Sequence, residues 1–320
     1  MLRVIFGLLV LCTVMTASMA SPSQTSSTKP IKRVIYITLD GVRWQDVFLD
    51  HNRLPLFWAK YAKSAAIYGD PQSNITMEVA SIPVSLPSYQ SQMSGAVQPC
   101  KNNECGRLQA ETFPEKLVNK LGLKRKDVAS ISCWEVMDFA VERTPGTIFS
   151  NHGTRPMHDP DTMEDDPVMV ALNKQQAAAY PGDDTRPDKY TFAQAMHYLE
   201  KYKPVFLWIS LGDTDDAAHE AHLKAYHNAL AFGDQAIDQL MQTLKRMKLD
   251  KDTMVIITTD HGRGDGDKWS EHDEQYPEAK QTWAFVINGK LTGGVKDGNM
   301  EHYSTLSIRP TIESYFGLNI

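Results

Sequence analysis

The 320-residue sequence contains only four cysteines, too few for the disulfide-dense scaffolds that replace a core in small secreted domains. It has no internal repeat, no low-complexity tract and no disordered, collagen-like or coiled-coil bias in its composition. Beyond the first twenty residues no apolar run is long enough to cross a bilayer, so no membrane span is expected in the mature chain. A basic surplus is also missing: 33 Lys and Arg face 39 Asp and Glu, a formal net charge of −6. Nucleic-acid binding is therefore not expected. What remains is a globular composition, 42% hydrophobic and 22% charged, on a chain long enough for one large α/β domain or two small ones.

Residues 1–20 read as a secretory signal peptide, with Arg3, an apolar run from Val4 to Val14 and the small-residue stretch Ala17-Ser18-Met19-Ala20. The expectation is an exported protein, periplasmic or secreted. Residues 21–31, rich in Ser, Thr, Pro and Gln, suit a flexible leader. Cys100 and Cys105 lie close enough to staple the loop between them in an oxidising compartment. Cys133, in an apolar run, is expected to be a buried thiol acting as a small hydrophobe.

Residues 32–320 are expected to form the functional domain. Short β-branched runs at Arg33–Leu39, Asp127–Cys133, Val205–Leu211, Thr253–Thr259 and Trp283–Asn288 read as buried strands. Helical patterns at Thr112–Leu121, Tyr190–Tyr202 and Asp216–Met247 separate them. This alternation predicts an α/β fold with a mainly parallel central sheet and helices on both faces. Ligands bind such sheets beyond the carboxyl ends of the strands. The stretch 151–188, rich in Pro, Asp, Met and His with weak periodicity, is expected to be a cap or insertion near the site.

The first strand ends in Asp40, and a later one ends in Asp260-His261. An Asp in that position serves as a turn or helix cap, or as a metal ligand. Asp215 and His219 are four residues apart after another strand, so on a helix both point to one side; they could grip an ion or complement the helix dipole. The loop after His261 carries Arg263 and, further on, His272 among glycines and acids. In Val84-Ser85-Leu86-Pro87, Pro87 suits a first helical turn, which sets Ser85 as an N-cap or as a nucleophile at an anion-binding helix start.

Taken in order, Leu39-Asp40-Gly41, Ser85-Leu86-Pro87, Asp215-x-x-x-His219, Asp260-His261-Gly262 and His272 before a late strand resemble the alkaline phosphatase superfamily, closest to the nucleotide pyrophosphatase/phosphodiesterase branch and its small bacterial relatives. The resemblance runs from Arg33 to Leu318. It implies a hydrolase of small-molecule phosphate esters, monoester or diester, with Ser85 as the nucleophile that becomes a phosphoserine. It implies two divalent metal ions, zinc: one held by Asp40, Asp260 and His261, the other by Asp215, His219 and His272. His302, near the C-terminus, is the rival to His272 as last ligand. A sulfatase is disfavoured, because the family's C/S-x-P-x-R pattern has Tyr89 at its fifth position here. The phosphodiesterase branch has Asn at Ser88, so the phosphoryl oxygens are left to Ser88, Arg43, Arg263, the metals or backbone N–H groups. Alternative readings are a phospho-substituent transferase of the same fold and a catalytically inactive, metal-dependent anion-binding protein.

Overall fold

The computed structural model describes residues 32–154, 166–179 and 184–318; the expected signal peptide and leader lie outside the described residues. Ten strands are described: β1 (Arg33–Leu39), β2 (Ala65–Tyr68), β3 (Ile75–Glu78), β4 (Val128–Ser132), β5 (Phe149–His152), β6 (Phe206–Leu211), β7 (Thr253–Thr258), β8 (Ala284–Ile287), β9 (Val295–Asp297) and β10 (Met300–Ser304). The helices are α1 (Trp44–Phe48), α2 (Pro55–Lys60), α3 (Ser85–Ser94), α4 (Phe113–Leu121), α5 (Asp138–Val141), α6 (Pro167–Ala179), α7 (Asp188–Tyr202), α8 (Asp213–His219), α9 (Leu223–Arg246) and α10 (Ile308–Tyr315).

Seven strands form the central sheet in the order β2-β8-β7-β1-β6-β4-β5. The five from β7 to β5 are mutually parallel, while β8 and β2 add antiparallel pairings at one edge. The period-two alternation of a strand divides the core in two. Ile35, Ile37 and Leu39 of β1 join Leu207 and Ile209 of β6 and Val255 and Ile257 of β7 on one face, under α2, α7 and α9. Val34 and Tyr36 join Phe206, Trp208, Met254 and Ile256 on the other, under α3, α4, α5 and α10. All seven residues of β1 are buried, which is why the strand reads as a continuous apolar run. This is the expected mainly parallel α/β sheet with helices on both faces.

Two differences from the sequence reading bear on the site. The single helical pattern Asp216–Met247 is two helices, α8 and α9, broken where Ala221 adopts a left-handed φ of 51°. The stretch 151–188 also supplies regular structure: Asn151 and His152 belong to edge strand β5, and α6 packs on α7. A small second sheet, β3-β10-β9, has strands of only three to five residues.

Candidate active site

Strands β7, β1 and β6 lie side by side and parallel, with Thr38 in register with Thr258 and Leu39 with Leu211. Their carboxyl ends therefore deliver Asp260, Asp40 and Gly212 to one place. The chain turning out of β1 is tied to both neighbours. The Asp40 amide donates to Leu211 O at 2.9 Å, the Val42 amide to Thr259 Oγ1 at 3.0 Å, and Thr214 Oγ1 to Asp40 O at 2.6 Å. Gly41 has a φ of +61°, and an added Cβ would stand 2.5 Å from Asp215 Oδ1; only glycine fits this turn. Helix α3 docks its first turns on the same strand ends through Ser88 Oγ donating to Asp260 O at 2.8 Å and Tyr89 OH donating to Asp40 Oδ2 at 3.2 Å.

Ser85, the first residue of α3, holds its Oγ 3.4 Å from Asp40 Oδ1 and 3.3 Å from His261 Nε2. His261 Nε2 is in turn 3.6 Å from Asp40 Oδ1 and 3.3 Å from Asp260 Oδ2. On the outer side His219 Nε2 lies 3.0 Å from Asp215 Oδ2 and 3.2 Å from His272 Nε2, while the His261 and His272 rings stack at 4.1 Å. The fold thus gathers all six expected ligands and Ser85 into one cluster. His261 Nδ1 faces Gly262 O at 2.9 Å and His272 Nδ1 faces Pro83 O at 2.7 Å. A carbonyl can only accept, so each Nδ1 carries the proton and each Nε2 turns a lone pair inward. Burial and the neighbouring Asp260 push the Asp40 carboxyl well above the usual carboxylate range, and burial brings His272 down to about 2. Both shifts describe lone pairs packed together away from water.

The sequence profile of the family described as Type I phosphodiesterase / nucleotide pyrophosphatase matches residues 57–311. The chain belongs to this family. Its fold resembles those of alkaline phosphatase superfamily proteins. A 2-O GAG sulfatase, BT1596, superposes with a TM-score of 0.58 at 12% identity, covering 90% of this chain and 71% of the other. The lipoteichoic acid synthase LtaP from Listeria monocytogenes gives 0.58 at 11%, covering 90% and 72%. TAB5 alkaline phosphatase with Mg bound gives 0.52 at 13%, covering 91% and 100%. No sequence match was found among curated proteins.

Within this phosphodiesterase-family site the donors fall into two sets that could hold a cation, Asp40-Asp260-His261 and Asp215-His261-His272. His261 belongs to both sets, and His219, with Nε2 3.0 Å from Asp215 Oδ2 and 3.2 Å from His272 Nε2, adjoins the second. The fit to a cation rests on one atom above all. Asp260 Oδ1 accepts the Gly41 amide at 3.0 Å, but Asp260 Oδ2, in a fully buried residue, has no hydrogen-bond partner. A buried carboxylate oxygen without a partner is strongly penalised, and a divalent cation among these carboxylates and imidazoles would supply what it lacks. His302 lies elsewhere, on β10, with Nδ1 2.9 Å from Thr76 Oγ1 of β3.

The three residues expected to touch substrate are engaged with protein. Ser88 is buried, donating to Asp260 O and accepting from Gln92 Nε2 at 3.1 Å. Arg43 forms a forked pair with Asp46, at 2.8 and 3.1 Å. Arg263 is fully buried; it donates to Gly41 O at 3.0 Å, to Ser270 O and to Asp215 Oδ1. Its guanidinium thereby clamps the loops after β1, β6 and β7 together.

Other residues line the site that the sequence did not mark. Cys100 and Cys105 are bridged, and the ring they close carries Asn103, whose Oδ1 accepts the Leu86 amide at 2.9 Å in the first turn of α3. Asn103 also lines the adjoining cavity with Asp40, Asp215 and His219. Asp188, at the start of α7, accepts the Gly212 and Asp213 amides at 2.7 and 3.2 Å and so fixes the turn that presents Asp215. Buried Cys133 sits under that turn, where a Cβ on Gly212 would meet its Sγ at 2.5 Å.

Proposed function

We propose that the mature protein is an exported two-metal hydrolase that cleaves phosphate esters through a covalent phosphoseryl intermediate on Ser85. The observation that carries this reading is the position of Ser85 Oγ between Asp40 Oδ1 and His261 Nε2, beside the unpartnered Asp260 Oδ2. A serine hydroxyl needs activation to act as a nucleophile at neutral pH. Two divalent ions, zinc on the mixed Asp and His donor set, would lower its pKa and neutralise charge on the entering and leaving oxygens.

The chain's own groups account for the rest. Ser85 Oγ attacks phosphorus, its new O–P bond forming as the bond to the departing alcohol oxygen breaks, and water then cleaves the phosphoserine. Asn103 Nδ2 donates to a phosphoryl oxygen, a part the resemblance gives to an Asn in place of Ser88 and so leaves open in this chain. Arg263, buried and clamped, holds Asp215 in place. Family membership favours a diester over a monoester. Export rests on the signal-like residues 1–20.

The test is turnover by the zinc-loaded mature protein of p-nitrophenyl phosphate, bis-p-nitrophenyl phosphate and p-nitrophenyl sulfate. Turnover of a phosphate ester but not the sulfate, lost in Ser85→Ala, is the expected result. A Ser85→Ala protein with full activity, or a preparation saturating at about one metal ion or none, contradicts it.

A further inference from the structure

Helix α3 touches one carboxylate twice. Ser85 and Tyr89 are four residues apart and so share a helix face. Ser85 Oγ lies 3.4 Å from Asp40 Oδ1, and Tyr89 OH donates to Asp40 Oδ2 at 3.2 Å. Oδ1 is also the oxygen nearest His261 Nε2, at 3.6 Å. The phenol therefore occupies one oxygen of Asp40 and leaves the other to Ser85 and the donor cluster.

Behind the phenol a chain of hydrogen bonds runs into the sheet. Thr38 lies on the face of β1 that also carries Val34 and Tyr36. Its hydroxyl accepts from Trp208 Nε1 at 3.1 Å and bonds the Tyr89 phenol. An indole N–H can only donate, which fixes the direction: Trp208 donates to Thr38, Thr38 to Tyr89, and Tyr89 to Asp40 Oδ2. Trp208, Thr38 and Tyr89 are fully buried, and donors in series polarise one another in such an interior. The surrounding side chains on this face, among them Val34, Phe206, Met254 and Ile256, are apolar. Polar groups are costly to place there unless each is bonded, and these end on a single carboxylate.

Resting on the proposed two-metal hydrolase reading, we propose that Tyr89 is a positioning residue for that reaction: its hydroxyl, backed by Thr38 and Trp208, holds Asp40 with Oδ1 presented to Ser85 Oγ and to a cation bound by Asp260 and His261. The phenol is neutral, so it orients Asp40 without cancelling the charge that attracts the cation. Without the hydroxyl the carboxylate is free to turn about its Cβ–Cγ bond, and both the cation and the nucleophile lose their fixed partner.

The experiment measures zinc affinity, by competition with a chromogenic chelator, for the wild type, Tyr89→Phe, Thr38→Val and the double variant. Melting of the metal-free proteins and steady-state kinetics on bis-p-nitrophenyl phosphate accompany it. Tyr89→Phe keeps the ring that packs on Trp208 at 5.1 Å and loses only the hydroxyl. Its zinc binding is expected to weaken about tenfold, with kcat falling and KM unchanged. Thr38→Val, which leaves the Tyr89 hydroxyl in place, should weaken zinc binding less, and the double variant no more than Tyr89→Phe alone, because the chain reaches Asp40 through Tyr89. A merely structural hydroxyl would lower the metal-free melting temperature and leave zinc affinity and kcat of the folded protein alone. Unchanged zinc affinity in a folded Tyr89→Phe, or losses that add in full in the double variant, overturns the positioning role and leaves the hydrolase reading intact. Should Tyr89→Phe not fold, Thr38→Val decides, and wild-type zinc affinity there overturns the proposal. A wild type that binds no zinc overturns the two-metal reading, and this inference with it.

Discussion

The floor and the rim of the site are built on different principles. The floor, Asp40, Ser85, Asp260 and His261, sits on the ends of central strands and the first turn of α3, with each residue at most 6% exposed. The rim, His219 and Asn103, stands on a short helix and a loop, and the His219 side chain is 56% exposed. Rigid strands fix the groups whose geometry the chemistry needs within fractions of an ångström, whereas loops carry those that select what enters. Substitutions on the floor should therefore stop the reaction, and substitutions on the rim should tune it.

The largest effect expected is from Ser85→Ala, which should lower kcat by a factor on the order of a thousand or more while metal content by elemental analysis stays unchanged. Second is His261→Ala. Because His261 serves both donor sets, its loss should cost both metal content and activity, and excess zinc should not restore them. His219→Ala, at the exposed edge, should weaken activity roughly ten- to a hundredfold and recover in part with added zinc. If the two histidine variants behave alike in a zinc titration, the contrast between floor and rim is wrong.

Metal removal should also report on the floor. Chelation relieves nothing at Asp260 Oδ2, so the apoprotein should melt lower than the zinc form. Zinc at a hundred times its Kd should add about 2.7 kcal/mol of stability. A melting temperature indifferent to zinc would contradict the cation fit.

The smallest effect belongs to the disulfide ring. Reduction of Cys100–Cys105, or Asn103→Ala, should raise KM severalfold with a lesser change in kcat, since both loosen the group proposed to donate to a phosphoryl oxygen. Steady-state kinetics with and without reductant decides it; a reduced enzyme with unaltered KM would show that the ring does not position Asn103.

The same division explains what could be read in the sequence. The buried runs Arg33–Leu39, Val205–Leu211 and Thr253–Thr259 announce themselves because a parallel strand buried on both faces must be continuously apolar, and the ligands follow directly from where those strands end. The edge strands β2 and β9, and β10 between β3 and β9, are short and partly or wholly exposed, so they leave no such run. The break between α8 and α9 carries no proline or glycine; Ala221 takes the left-handed turn, and the tight Ala221 N to Ala218 O and His222 N to Ala217 O hydrogen bonds hold it. Tertiary demands, His219 pointing into the site while α9 lies along the sheet, override a continuous helical pattern. Asn103 was illegible for another reason: its role depends on a disulfide ring that places it against α3, which no local spacing encodes. Arg263 looked like a substrate ligand because its residue type suits phosphate, yet burial turned all its described contacts to protein.

The most direct test of the central claim is a rapid acid quench of the zinc-loaded enzyme during turnover of a p-nitrophenyl phosphodiester, followed by peptide mass spectrometry. The account predicts a phosphoryl adduct on the peptide carrying Ser85, absent from Ser85→Ala. Sustained turnover with no adduct on Ser85, or an adduct on a different residue, would contradict it.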